Sequence, residues 1–246
     1  MHVELFLTSR PLSKVDFEDK TVVVIDVLRS STSIAAMLMA GARGVIPTAE
    51  PGEAGDLWTK IGHDSTVLAG ERDGVKIENF QFGNSPTEFT PETVGGKLVI
   101  ICTTNGTAPF GRAVKAGMIL SGGFVNISRI AERVAREQKD VVVICSGHEG
   151  GFSTEDTLCG GMLIDLLERH HGCTLSFNDA ASLSRLFYDQ NRDRWRESVA
   201  QGEHGSFLTS IGFGHDVEIA TEVDSMPVVA VLRDGRLVPV EDADTD

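Results

Sequence analysis

The chain has no C-x-x-C pair, and its four cysteines, Cys102, Cys145, Cys159 and Cys173, show no zinc-like spacing. Two of them close apolar strand-like runs, which points to reduced thiols in the core or at a site edge rather than to disulfides. Positive charge is also scarce. Lys and Arg number 22 against 36 Asp and Glu, a formal charge of −14. Nucleic-acid affinity rests on cation density, so a general phosphate-backbone binder is excluded. A small anionic ligand is not, because a few arginines in a cleft, or a bound cation, reverse the local potential. No apolar run approaches the roughly 18–20 residues needed to cross a bilayer. The start, MHVELFLTSR, has neither a basic lead nor a long apolar segment, so no signal peptide and a cytoplasmic location are expected.

What is present suits a soluble globular protein. At 246 residues, 41% hydrophobic and 24% charged, the chain reads as one domain over 1–246, or as two closely joined lobes. Strand-like runs fall near 2–7, 21–27, 44–49, 66–71, 97–103, 118–122 and 140–146. Helical patterns fill 31–41, 53–61, 107–116, 127–138, 154–170 and 178–201, the last starting at Asn178 or Asp179. Short apolar runs alternating with longer amphipathic stretches predict an α/β fold, a layered and largely parallel or mixed sheet flanked by helices. The end, PVVAVLRDGRLVPV, predicts a hairpin turning at Asp234-Gly235, with an acidic tail at 241–246. No internal repeat or low-complexity linker appears. Residues 72–96 are the longest stretch without periodicity, and such loops are often functional.

Three strand ends look alike. VVVIDVLRSSTSIAA (22–36) runs from a buried strand through Asp26 and Arg29 into Ser30, Ser31, Thr32 and Ser33. LVIICTTNGTAPFGRA (98–113) ends on Thr103, Thr104, Asn105, Gly106 and Thr107. VVVICSGHEGGFSTEDTLCGGML (141–163) passes through a glycine loop to a helix near Ser153. Ligands of open α/β sheets sit beyond the carboxyl ends of strands, where helix N-termini and hydroxyl donors suit an anion. The plainer reading is N-capping, and Ser153-x-x-Asp156 has the spacing of a capping box. One cap explains one cluster. It explains less well Arg29 beside a Ser/Thr run, Gly70-Glu71-Arg72 at another strand end, and Glu155 with Asp156 after a glycine loop.

The familiar phosphate-handling motifs do not fit the chain. GTAPFGRA (106–113) has Walker A glycine spacing but lacks the lysine and the metal-binding hydroxyl, and carries Pro109. A cysteine phosphatase needs an arginine six residues after the thiolate; Ala108 and Gly151 stand there. Asp26 fits a haloacid-dehalogenase nucleophile, but Leu28 replaces the second aspartate. What remains is a carboxylate set at strand and helix ends, Asp26, Glu71, Glu155 and Asp156. Mg²⁺ takes oxygen ligands of this kind, often one or two carboxylates completed by water and substrate phosphate.

The strings VIDVLRSST (24–32), LAGERDG (68–74), FGNSP (82–86), TTNGT (103–107) and TEDTLCGG (154–161), with GHDVEIATEVD near 214–224, resemble the ComB family, the 2-phosphosulfolactate phosphatases. The resemblance runs in order from about residue 3 to about residue 240. It implies a Mg²⁺-dependent hydrolysis of (R)-2-phospho-3-sulfolactate to sulfolactate and phosphate, a step of coenzyme M biosynthesis. It also leaves room for other phosphorylated 2-hydroxy acids. On that basis Asp26 is expected as metal ligand or nucleophile, with Glu71, Glu155 and Asp156 as metal ligands or base. Arg29 and Arg72 would contact phosphate or carboxylate. Ser31, Thr32, Asn84, Ser85 and residues 103–107 would line anion cradles. Duller roles stand beside these. Arg29 would order its turn by pairing with Asp26, Asn84 and Ser85 would begin a turn, and Asn126 would cap the helix at 127. His148 is a proton-donor candidate or an idle loop histidine, Cys145 is structural, and Asp216 and Asp224 read as solvated helix faces. The expected partner is a small polyanionic phosphorylated substrate, with no nucleic acid and no membrane, and a homodimer as the base-rate assembly. The rival class is a non-catalytic sensor of small anions; several acids beside the ligand favour the enzyme.

Overall fold

The computed structural model describes residues 1–10, 12 and 15–240, so the acidic tail at 241–246 lies outside the described residues. Among the described residues, eleven strands form one sheet. The first six are β1 (His2–Phe6), β2 (Thr21–Ile25), β3 (Gly44–Thr48), β4 (Thr66–Arg72), β5 (Val75–Lys76) and β6 (Leu98–Cys102). The rest are β7 (Met118–Gly122), β8 (Val141–Cys145), β9 (Ser176–Phe177), β10 (Val229–Arg233) and β11 (Arg236–Val240). The early helices are α1 (Ser30–Met39), α2 (Pro51–Ile61), α3 (Pro91–Val94), α4 (Ala108–Arg112) and α5 (Ile127–Glu137). They are followed by α6 (Thr154–Arg169), α7 (Asp179–Asn191), α8 (Trp195–Gln201), α9 (Glu203–Ser210) and α10 (Gly214–Ala220). No described helix is long and apolar enough to cross a membrane.

The sheet order is β5-β4-β6-β3-β11-β10-β7-β2-β8-β1-β9. β4, β6 and β3 are mutually parallel, and so are β7, β2, β8 and β1. Between these sets lies the C-terminal hairpin, antiparallel within itself and to both neighbours, β3 and β7. The sheet is therefore mixed, and its two parallel halves run in opposite senses. β2, β6 and β8 are buried at every residue, as continuous apolar strands covered on both faces must be. Alternate residues serve two cores. Val23, Ile25 and Val143 face Ile130, Val134, Leu163 and Leu167 of α5 and α6. Val22, Val24 and Val142 share the other core with Ile34 and Met37 of α1, and so do Val45, Val99 and Val67 from the opposite half.

α1 is buried from Ser30 through Leu38, so the sheet wraps around it. Twist accumulates at roughly 20–25° per strand pair, about 100–125° over the five steps from β6 to β2. Carboxyl ends that a flat sheet of this topology would hold apart are thereby brought together. The hydroxyls of Ser30, after β2, and Thr103, after β6, are 3.0 Å apart.

Two sequence expectations are corrected here. Residues 178–201 form two helices rather than one, with a break that seats the buried Trp195 against Phe124 at 4.2 Å between centroids. The pattern at 107–116 yields only the short α4: Pro109 and Phe110 are buried within it, and beyond its end Val114 is 66% exposed. Leu237 of β11 is fully buried where the hairpin meets β3. Leu237→Ala is expected to cost about 2–5 kcal/mol of unfolding free energy, read from the shift of a urea midpoint at unchanged slope.

Candidate active site

The site begins where β2 ends. Asp26 is 5% exposed, and its carboxylate Oδ1 accepts the backbone N–H of Ser30 at 3.1 Å. Its carbonyl accepts the N–H of Ser31, and its own N–H is donated to the Ser31 hydroxyl. The turn is thus closed by backbone and hydroxyl groups, with the carboxylate at the N-terminus of α1, where the helix dipole favours an anion. Ser31 and Thr32 are spent internally. The Thr32 hydroxyl donates to the Val27 carbonyl at 2.8 Å, and neither residue lines the cavity described below.

The loop after β6 closes on the same point. A methyl group on Gly106 would collide with the Asp26 Oδ2 and the Ser30 hydroxyl, so only glycine allows this approach. Thr103 receives the Gly106 N–H at 3.2 Å as well as facing Ser30. The Glu71 carboxylate, at the end of β4, ties two loops by accepting the N–H groups of Thr104 and Gly74, each at 2.9 Å. Asp26, Arg29, Ser30, Glu71, Asn84, Thr104 and Asn105 line one cavity of about 160 Å³, together with Asp73, His148, Glu149, His204 and Phe207. Thr103, Gly106 and Thr107 stand behind its wall. Arg72 is elsewhere: its guanidinium donates to the carbonyls of Glu71 and Ala49 and lies 3.3 Å from Cys102 Sγ.

Arg29 does not pair with Asp26. Its Nη1 donates to Asp216 Oδ2 at 2.7 Å, its Nη2 to the Gly74 carbonyl, and its plane lies 4.2 Å from the Phe213 ring centroid. Asp216, on α10, is 3% exposed and accepts the Ser85 hydroxyl at 2.7 Å. It is a buried counter-ion, not a solvated helix face. Two of the five guanidinium N–H donors are committed in this way, and the residue also lines the cavity. Asp224 likewise has work to do, accepting the Ser128 N–H and hydroxyl at the start of α5. Asn126 occupies the cap position there but turns its Oδ1 back to the Gly123 N–H.

The two acids that open α6 divide. The predicted capping box at Ser153 does not form. Instead Asp156 accepts the N–H of Val27 at 2.9 Å and of Gly147 at 3.0 Å, clamping the turns after β2 and β8. Glu155, 1% exposed, faces His204 Nδ1 at 2.9 Å. Neither lines the cavity. His204, on α9, stacks on His148 with centroids 4.1 Å apart and planes at 20°. His148 itself is held by reciprocal backbone bonds with Gly151. His204 lies in no motif of the sequence, and Asp216, though inside the string GHDVEIATEVD, has its partner far off: the partners of the two stand 49 and 187 positions away.

Burial raises the Asp26 pKa to about 6, with the Glu71 charge adding to it, against the lowering effects of His204 and the Ser30 hydrogen bonds. Burial raises Asp156 well above the usual carboxylate range, with Glu155 and Asp26 pushing the same way. His148 is lowered by burial and then by the neighbouring His204. Cys145 and Cys159 are buried free thiols raised by desolvation.

The four-carboxylate metal set expected from sequence does not assemble. Among the described residues, no three His, Cys, Asp or Glu side chains gather closely enough to hold a metal by themselves. A smaller oxygen set does fit a hard cation. Asp26 and Glu71 line one cavity with Asn84, whose Oδ1 is buried without a hydrogen-bond partner. Mg²⁺ commonly takes one or two carboxylates and completes its shell with water and phosphate.

A cavity at converging strand ends, with a fixed arginine beside buried carboxylates, defines an α/β protein equipped to handle a small anion. A sequence model described as 2-phosphosulpholactate phosphatase matches residues 6–235. A protein named probable 2-phosphosulfolactate phosphatase from Caldanaerobacter subterraneus subsp. tengcongensis is 33% identical, over 96% of this chain and 97% of its own. One of the same name from Carboxydothermus hydrogenoformans is 38% identical over 90% of each chain, and one from Thermotoga petrophila 33% over 90% and 92%. The chain belongs to the 2-phosphosulfolactate phosphatase family, a family of phosphoric monoester hydrolases.

The Asp26 shift gives a stability prediction. With a pKa raised from 3.8 to about 6, ionising Asp26 in the folded state costs about 3 kcal/mol. The raised value means that stability is fullest below pH 3.8 and is lost as pH rises toward 6. In the presence of a chelator, Asp26→Asn should unfold at a higher urea concentration than wild type at pH 7.5. The two should converge near pH 4, and a variant less stable at pH 7.5 would contradict the assignment.

Proposed function

We propose that this protein hydrolyses the phosphate ester of a small polyanionic 2-hydroxy acid, (R)-2-phospho-3-sulfolactate, releasing sulfolactate and inorganic phosphate, with Mg²⁺ as cofactor. The observation that carries the reading is the placement of Asp26 and Arg29 on one cavity, within a chain whose relatives bear this activity in their names. Arg29 is rigid because Asp216, the Gly74 carbonyl and Phe213 hold three sides of it. A pre-organised guanidinium stabilises phosphoryl charge without reorganising as that charge develops.

Asp26, Glu71 and the Asn84 amide oxygen would hold the cation, which when bound neutralises phosphoryl oxygens and orients the attacking water. Thr104 and Asn105 add donors at the cavity rim, with Thr104 exposed and Asn105 half-buried. The N-terminus of α1 offers further positive potential to the phosphate. Phe207 and Leu208 cover one side and reduce water access.

The test is phosphate release by purified protein from a panel holding 2-phosphosulfolactate and 2-phospholactate, with and without Mg²⁺. Wild type should be active with the metal and lose at least about 100-fold under strong chelation. Asp26→Asn should be at background while remaining folded. Release unaffected by chelation would remove the metal from the reading. Tight calorimetric binding without turnover would favour the sensor instead.

A further inference from the structure

We propose that His204, held by Glu155, is the acid that protonates the leaving oxygen of the substrate. The proposal rests on the phosphatase reading above and assigns a role to a residue that reading leaves unused. The alcohol of a 2-hydroxy acid is a poor leaving group, because its alkoxide is far more basic than water at neutral pH. Cleavage of its P–O bond therefore gains from a positioned proton donor.

Few groups on the cavity wall can supply that proton. Arg29 does not release protons in proteins. Asp26 and Glu71 are committed to the reacting phosphate and its cation. Glu149 is exposed and Asp73 lies at the rim, where water competes with any directed transfer, and His148 has no hydrogen-bond partner at its buried Nδ1 to orient its ring. His204 combines the required features. Its Nδ1 lies 2.9 Å from a carboxylate that is itself 1% exposed, so Nδ1–H is the donor to Glu155. That bond fixes the orientation of the ring, the logic by which a buried acid positions a histidine. Nε2 has no hydrogen bond among the described residues, and the residue lines the cavity. The stacked His148 ring, 4.1 Å away, prevents the imidazole from swinging.

The attacking oxygen, drawn from water, forms a new bond to phosphorus as the bond from phosphorus to the C2 oxygen breaks. The electron pair of the broken bond stays on the C2 oxygen, which takes the proton from His204 Nε2. The proton lost by the attacking water restores the imidazolium. No oxidant or further reactant is consumed. His204 is a catalytic residue on this account, and Glu155 is a positioning residue acting through it.

The experiment compares two substrates of nearly equal shape and charge, 2-phospholactate and its 3,3,3-trifluoro analogue, whose leaving alcohol is much more acidic. His204→Gln should lose about 10²–10⁴-fold in kcat on phospholactate and less than about 10-fold on the trifluoro ester. Glu155→Gln should show a smaller loss with the same ratio between substrates. The ratio is measured on one preparation, so partial unfolding of a variant cancels. Equal losses on both esters, or undiminished activity on phospholactate, would overturn the proposal while leaving the phosphatase reading intact. Wild-type protein inactive on both esters and on 2-phosphosulfolactate would overturn the phosphatase reading and this proposal with it.

Discussion

The structure is organised around an unfavourable charge. Asp26 sits at the end of a fully buried strand with Glu71 in the same cavity and Asp156 and Glu155 behind it. Burial alone raises its pKa, and the carboxylates around it raise it further or resist the ionisation of one another. The protein offsets part of this cost with backbone N–H groups, aimed at Asp26 from Ser30 and at Asp156 from Val27 and Gly147. What is left uncompensated is a demand for positive charge in the cavity. Arg29 meets it only in part, because Asp216 at 2.7 Å balances much of its charge. A cation or an incoming proton would meet the rest.

Bringing those acids together is a topological achievement. A sheet of two oppositely directed parallel halves would ordinarily present its carboxyl ends on opposite edges. The C-terminal hairpin supplies the reversal, and the twist around α1 undoes its consequence for the strand ends. The core of α1 and the cavity wall are therefore one construction. Ile34 and Met37 share one core with strands of both halves, and beyond the strand ends Gly106 rests against Asp26.

Much of this was legible in the chain because the signals were local. Runs such as VVVI and LVII read as buried strands without ambiguity, and I-x-x-I-A-x-x-V in 127–134 gave α5 its buried face. The polar stretch TTNGT was readable as a strand-end loop, although its two ends differ in purpose. Thr104 and Asn105 reach the cavity, whereas Thr103 and Gly106 shape the ground beneath Asp26. Partners far along the chain were not legible. Arg29 lies beside Asp26 in sequence, but the acid it binds is Asp216 on α10. His204 stands in a helix with no motif, and only the packing of α9 against the glycine loop and the start of α6 gives it neighbours. The spacing of Ser153 and Asp156 was read correctly as an N-terminal signature but for the wrong reason. The acid serves other turns, not its own helix.

Accounting for carboxylate oxygens separates structure from chemistry in this site. Both oxygens of Asp156 and both of Asp216 are taken by donors inside the protein. Removing either acid would leave buried N–H, guanidinium or hydroxyl groups unpaired, so each belongs to the scaffold even though each lies within a few residues of the cavity. Glu71 is intermediate: it ties Thr104 and Gly74 and still presents a face to the cavity. Asp26 accepts one backbone N–H where Asp156 accepts two, and Glu155 keeps a buried Oε2 with no partner beside the one His204 engages. The carboxylates with least internal work are therefore Asp26 and Glu155, one on the cavity wall and one behind the histidine that shares that wall. An acid left under-satisfied in the interior destabilises the fold, and such a cost is retained where the group acts on something that is not part of the fold.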